Sequence, residues 1–292
     1  MSSIREMRQR INSVKNITQV TRALQTVSAS KVRKTTLATE QTRPYAESAL
    51  DILHDLAGQP GHNSLHPLLA ERTNIKNALV VLVSSDRGLA GAFNLNIVKY
   101  ALNYFGQFKI PVSYVTAGRK GRDMLYRRKM KIVADFPQIP SPPTFLDCAP
   151  IGKLIVENYL DEECDQVYLV YNRYVNMMKQ IPTIELLLPL TLPPSEETKE
   201  SKTKAVFTYE PDQSLVLESI VPRFTALQVY QAILSSHASE HAARMMAMRA
   251  ATDNGNDLIR SLQLDYNKAR QQIITADMLD IVGGVEGLAK QS

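Results

Sequence analysis

From Ile4 to Val27 the apolar residues return at steps of three and four: Ile4, Met7, Ile11, Val14, Ile17, Val20, Leu24 and Val27. That spacing lays one stripe along an α-helix, and no proline interrupts it before Pro44. A helix from Ser3 to Arg43 is about 60 Å long. Helix resumes past Pro44, through Leu50 and Leu56, until Gly58-Gln59-Pro60-Gly61 stops it. The steps read 3-4-3-3-3-4-3, a heptad pattern with one three-residue slip near Val14 that overwinds a supercoil locally.

The last third has the same character. No proline follows Pro222, and Leu227, Tyr230, Leu234, His237, His241, Met245 and Met248 keep the helical spacing, which Leu258, Leu262, Tyr266, Ala269, Ile273 and Ala276 continue. A helix from Arg223 to Val282, ending at Gly283-Gly284, is about 90 Å long. Gly255 inside it costs about 1 kcal/mol relative to Ala and loosens one turn. A compact globule of this length has a radius of gyration of about 19 Å, on the order of 50 Å across, so neither helix fits within one. Both must project, and two exposed apolar stripes are best buried against each other as an antiparallel coiled coil.

Between the helices, β-branched runs alternate with helical stretches: Ala78–Ser84, Asn94–Phe105, Val112–Ala117, Arg119–Arg128, Lys131–Phe136, Ile151–Leu160, Val167–Val175 and Ile184–Leu190. That alternation predicts an α/β domain with a mostly parallel sheet. The expected division is 1–57 for the N-terminal helix, 75–192 for the α/β domain, 193–214 for a polar linker and strand, and 215–292 for the C-terminal helix.

Composition narrows the class. A net charge of +5 is small for 292 residues and does not by itself imply nucleic acid. Cys148 and Cys164 form neither a CxxC redox motif nor a zinc knuckle. The longest apolar run, Ala78–Val83, is far short of the roughly 20 residues that span a bilayer, so no membrane insertion is expected. The start Met1-Ser2-Ser3-Ile4-Arg5-Glu6 lacks a signal core and gives no sign of a transit peptide. There is no GxxxxGK[ST] or GxGxxG, so neither Asp86-Arg87-Gly88 nor Gly118-Arg119-Lys120-Gly121 reads as a nucleotide site, and no cofactor is expected. His237 and His241 share a helix face without a third ligand, which favours packing over a metal.

Four blocks then carry a family resemblance over nearly the whole chain. They are Ile4-Arg5, Arg10-Ile11, Ser13-Val14-Lys15-Asn16 and Lys31-Val32-Arg33-Lys34 at the start; Ser85 to Asn94 (SDRGLAGAFN); Ser239 to Asn254 (SEHAARMMAMRAATDN); and Tyr266-Asn267-Lys268-Ala269-Arg270-Gln271 onward to Gly284. Together they resemble the gamma subunits of F-type ATP synthases. The sequence departs from the family pattern at Asp277, where Glu is usual, at Val285, where Ala is usual, and at Leu24, where Met is common. The cysteine-bearing insertion of the chloroplast type is missing, which implies no thiol control.

What the resemblance implies is a rotor shaft without a catalytic site of its own, at the cytoplasmic face of a bacterial plasma membrane in a proton-translocating complex. Its partners would be the alpha and beta subunits of the catalytic head, the epsilon subunit and the membrane c-subunit ring, with no nucleic acid. Arg270, Gln271 and Leu24 would touch the head; Arg43, Tyr45, Tyr209 and Glu210 would meet the ring. Bland readings stand beside these: Gln271 as an ordinary exposed helix residue, Pro44 as a kink, and Tyr209 as a surface strand residue. The basic residues Arg5, Arg8, Arg10, Lys15, Arg22, Lys31, Arg33, Lys34 and Arg43, against Glu6 and Glu40, are either a solvated face or, by the resemblance, a cationic shaft within an acidic ring. Two rivals remain: a coiled-coil adaptor for nucleic acid, and an α/β enzyme with a helical dimerisation arm.

Overall fold

The structure is a computed structural model that describes residues 4–57, 67–70, 72, 74–190 and 213–289, with backbone alone at 43, 46, 47, 50–57, 213–217 and 283–289. In chain order the elements are α1 (Ile4–Ala57), β1 (Ala78–Val83), α2 (Phe93–Phe105), β2 (Val112–Ala117), α3 (Arg119–Arg127), β3 (Lys131–Phe136), α4 (Phe145–Leu160), β4 (Gln166–Tyr174), β5 (Gln180–Leu188) and α5 (Gln213–Ala289). They gather into two compact units, Ser28–Arg244 in one and Met1–Val27 with Met245–Ser292 in the other.

In the larger unit the described strands form a five-stranded sheet of order β3-β2-β1-β4-β5. The pairs β1–β2, β1–β4 and β2–β3 are parallel, and β5 returns antiparallel to β4 as a hairpin. The central strand β1, ALVVLV, is buried at every position, as a strand covered on both faces must be. Its side chains alternate between two cores. Leu79, Val81 and Val83 join α4 and α5 residues such as Ile151, Ile155, Phe224 and Ile233; Val80 and Leu82 join Ile97, Val98, Ala101 and Phe105 of α2. At α4 a capping box between Thr144 and Asp147 starts the helix, six residues before the Ile151 start that the apolar run suggested.

The helices differ from the sequence expectation at Pro44, where α1 does not break, and at both ends of α5. α1 runs through Pro44 to Ala57 and α5 starts at Gln213, passes Pro222, and continues through Gly283-Gly284 to Ala289. An internal proline costs about 3 kcal/mol, but Val221, Phe224 and Thr225 beside Pro222 are fully buried, and their packing holds the helix across it. The last predicted strand, Ile184–Leu190, is instead Gln180–Leu188.

In the smaller unit α1 and α5 run antiparallel. Thr21 Oγ1 and Thr252 Oγ1 lie 2.7 Å apart, and Gly255 faces Thr18, so numbering falls on one helix as it rises on the other. Extending that register pairs Val14 with Ile259, Ile11 with Leu262, Met7 with Tyr266 and Ile4 with Ala269, and all eight residues are buried or half-buried. The seam is therefore an unbroken heptad, and the expected slip near Val14 does not occur. Instead the seam continues through Thr18, Thr21 and Met248, while Ile17, Val20 and Val27 are 59%, 58% and 53% exposed. Threonines enter the seam because each hydroxyl bonds a carbonyl of its own helix: Thr18 to Val14, Thr21 to Thr18, Thr252 to Met248. On α5 the inward residue is Ile259, not the 46% exposed Leu258. Gly255 does not loosen the helix; it is a notch, since a Cβ there would lie 2.4 Å from Thr18 Oγ1.

Candidate functional site

The carboxyl edge of the parallel sheet is where α/β folds place ligands, and in this chain it is closed by protein. Ser85 at the end of β1 donates its N–H to Asn94 Oδ1 at 3.0 Å and its hydroxyl to the Arg87 carbonyl at 2.7 Å. Asn94 Nδ2 donates back to Ser85 Oγ at 2.7 Å. Asp86 accepts the N–H of Arg119 at 3.1 Å and that of Gln138 at 2.9 Å, joining the ends of β1, β2 and β3. Gly118 follows β2 at φ +107°, with Ser84 O 2.2 Å from where a Cβ would sit, so only glycine fits that turn. The loops at Asp86-Arg87-Gly88 and Gly118-Arg119-Lys120-Gly121 are thus one interlocked corner, in which the N–H groups of Ser85 and of 118–121 are spent on protein.

Across this corner lies α5. Ser239 Oγ donates to the Asn172 carbonyl of β4 at 2.9 Å, and one turn on, Arg244 reaches the loop after β1. Its Nε and Nη2 donate to the Gly88 carbonyl at 3.2 Å each, and Nη2 also reaches the Arg87 carbonyl at 3.4 Å. Glu240 Oε1 accepts from Arg244 Nη2 at 2.7 Å. Arg244 Nη1 lies 3.2 Å from His241 Nδ1 and can only donate, so His241 Nδ1 is the acceptor and Nε2 carries the proton toward Ser141 Oγ, 2.6 Å away. Glu240, His241 and Arg244 are 8%, 4% and 8% exposed.

Burial dominates the electrostatics. It raises Glu240 above the usual carboxylate range, against the pull of Arg244. It lowers His237 to about 4, helped by Lys31 and Arg244 and opposed by Asp86. It lowers His241 to about 3, with Arg244, His237 and Lys31 acting in the same direction. Cys148 and Cys164 are buried and pushed up to about 12, which leaves both thiols unreactive at neutral pH. Among the described residues no three His, Cys, Asp or Glu side chains are placed to share a metal, and no helix is long and apolar enough to cross a membrane.

The cluster joins the Ser85–Asn94 and Ser239–Asn254 blocks of the sequence, which makes the corner a family feature to be compared. The family model described as "ATP synthase" matches residues 3–288. The ATP synthase gamma chain of Dehalococcoides mccartyi is 42% identical over 293 residues, covering 99% of this chain and 100% of the relative. The chain belongs to the ATP synthase gamma chain family. The gamma chain of Roseiflexus castenholzii is 40% identical with the same coverage. Among solved structures, a chain of the Euglena gracilis mitochondrial ATP synthase OSCP/F1/c-ring assembly has TM-score 0.68 at 22% identity, covering 98% of this chain and 94% of that one. A chain of the Tetrahymena thermophila central stalk/c-ring has TM-score 0.59 at 24% identity, covering 80% and 99%.

The residues that the gamma-chain resemblance had marked for head contacts lie at two levels of the smaller unit. Leu24 is half-buried, and Arg270 and Gln271 are exposed on α5. The register of the smaller unit sets Leu24 level with Arg249, so Arg270 lies about 30 Å farther along the axis. Tyr45 is 64% exposed; the Arg43 side chain, Tyr209 and Glu210 lie outside the described residues. Two features of this gamma chain were missed in the sequence. One is the Arg244 cluster, for which the only signal was a buried-type helix face carrying Glu, His and Arg at i, i+1 and i+4. The other is the state of α5 beyond Ala269, where 270–282 are exposed on every side although Ile273, Ile274, Met278, Leu279, Ile281 and Val282 are among them.

Proposed function

We propose that this chain is the central-stalk rotor of a proton-translocating ATP synthase, coupling rotation of a membrane ring to ATP synthesis or hydrolysis in a catalytic head, and itself carrying no catalytic site. Family membership gives the class, and one observation carries the role. Along the described residues α1 begins at Ile4, level with Ala269, so α5 continues past its partner as a single helix. On it Ile274, Met278, Leu279, Ile281 and Val282 lie along one exposed apolar face, opposite Asp277 and Asp280, and the last four are each at least 60% exposed. An exposed apolar face of that length marks a surface covered by other subunits, while a nucleic-acid adaptor needs a cationic one.

In this reading the alpha and beta subunits form the sleeve, and Arg270, Gln271 and Leu24 meet them. Arg43, Tyr45, Tyr209 and Glu210 meet the c-subunit ring, the epsilon subunit binds alongside, and the complex sits at the cytoplasmic face of a bacterial plasma membrane. The functional division follows the sequence: shaft helices at 1–57 and 215–292, an α/β domain at 75–192, and a foot within 193–214. A shaft acts only by touching each state of the head differently. Co-expression with the head and ring subunits tests the assignment: recovery of the chain in an ATPase complex is expected, and recovery alone or with nucleic acid would overturn it. Within that complex Arg270→Ala with Gln271→Ala should lower rotation-coupled turnover; unchanged turnover would remove those two residues from the site.

A further inference from the structure

We propose that Arg244 is a positioning residue for the β1–α2 loop, holding the exposed side chain of Leu89 in a fixed place relative to α5. This concerns transmission inside the chain and does not depend on which partner the chain meets. Three observations carry it.

First, Leu89 is in an unfavourable state. Its φ is +64°, a region that costs energy for a branched side chain, and 63% of its surface is exposed, so no core contact holds it there. Second, the loop is fastened just before it. The Ser85–Asn94 bonds, the Ser85 hydroxyl on the Arg87 carbonyl and the two Asp86 bonds fix the first residues, and the Gly88 carbonyl is fastened by one side chain, Arg244, which also reaches the Arg87 carbonyl. Third, Arg244 is itself oriented. Glu240 holds Nη2 at 2.7 Å, and His241, its tautomer set by Ser141, takes Nη1 at 3.2 Å. A guanidinium presents its donors in a rigid fork, so turning or tilting α5 at Arg244 moves the Gly88 carbonyl, and Leu89 with it. A buried charge spent on loop carbonyls and on no ligand is otherwise an expensive way to cap a loop.

The test uses the full chain, which contains no Trp, so Leu89→Trp provides one fluorescent probe. In the parent the probe should show little nanosecond motion of its own. Arg244→Lys keeps the charge but not the fork, and should raise the amplitude of the nanosecond component of anisotropy decay by roughly two-fold, with far-UV circular dichroism unchanged. Arg122→Lys on α3, which also loses a guanidinium fork, should leave it unmoved. An unchanged probe in a folded Arg244→Lys chain overturns the proposal, and so does an equal rise in Arg122→Lys. Should Arg244→Lys not fold, Ser141→Ala decides: it frees only the His241 ring, a smaller rise is expected, and no rise overturns the proposal.

Discussion

Arg244 donates through two of its nitrogens to the carbonyl of Gly88, 156 positions earlier in the chain. The contact joins two of the sequence blocks that carry the family resemblance, and it fills the carboxyl edge of the sheet, where a related fold would bind a ligand. Arg244, bonded to loop carbonyls and paired with Glu240, has its donors spent on protein at that edge.

Removing Arg244 and removing Glu240 should therefore differ. Arg244→Ala strands a buried carboxylate and frees the Gly88 carbonyl, and a broken buried pair costs about 3–5 kcal/mol. Glu240→Gln keeps a carbonyl oxygen to accept from Arg244, and Arg244 keeps its loop carbonyls, so the loss should be nearer 1–2 kcal/mol, as for one charge-assisted hydrogen bond. Urea titrations of both variants check this ordering; equal losses would mean that the loop bonds contribute little.

Acid should weaken the larger unit through its histidines. His237 and His241 are depressed to about 4 and about 3 from 6.5, so the unfolded chain binds more protons than the folded one across this window. Their stabilisation is present above pH 6.5 and is lost as pH falls toward 4 and then 3. At about 1.4 kcal/mol per unit, His237 alone contributes of order 3 kcal/mol. Glu240, raised by burial, acts in the opposite sense, losing stabilisation as pH rises. Unfolding free energies between pH 7 and 4.5 should fall steadily in the parent and less steeply in His237→Gln; parallel curves would show that His237 is not buried neutral.

How far the sequence was legible follows from what each residue type advertises. The β-branched runs located β1 to β4 to within a residue or so; for β1, buried at every position, a strand covered on both faces can be built from little else. The family resemblance rested on four blocks, Ser239–Asn254 the most specific of them, and the comparisons bear it out. The seam of the smaller unit was misread at Thr18 and Thr21. A threonine looks polar in a pattern of hydrophobicity, but in a helix its hydroxyl is satisfied by its own backbone, and its methyl packs like that of valine. Once Thr18 and Thr21 are inside, Ile17 and Val20 must be outside, about 100° around the helix. The Arg244 cluster was illegible for another reason: its partners outside α5 come from two loops, at Arg87-Gly88 and at Ser141, and no local pattern announces a contact at that separation.

Gly255→Ala is a direct check of the notch. Alanine is the better helix former by about 1 kcal/mol, and on an exposed helix the change would stabilise. Here the new Cβ would meet Thr18 Oγ1 at 2.4 Å, and overpacking of this kind costs about 1–3 kcal/mol. The variant should melt lower than the parent, and Thr18→Ala with Gly255→Ala should recover or exceed the parent melting temperature. If the single change already stabilises, the two helices do not approach there as described.

The end of α5 yields a prediction that separates folding from assembly. Ile274, Met278 and Leu279 are 47%, 63% and 66% exposed in the chain by itself, so replacing all three with Ser removes little buried area and should shift the stability of the free chain by under about 0.5 kcal/mol for each site. In a sleeve of partner subunits the same side chains would be desolvated, and each large aliphatic side chain buried there contributes about 1.5–3 kcal/mol. The triple variant should thus melt like the parent when alone and yet be recovered poorly with the head subunits. Equal recovery would mean that the apolar surface beyond Ala269 has no partner in the complex, and would withdraw the observation on which the rotor assignment most depends.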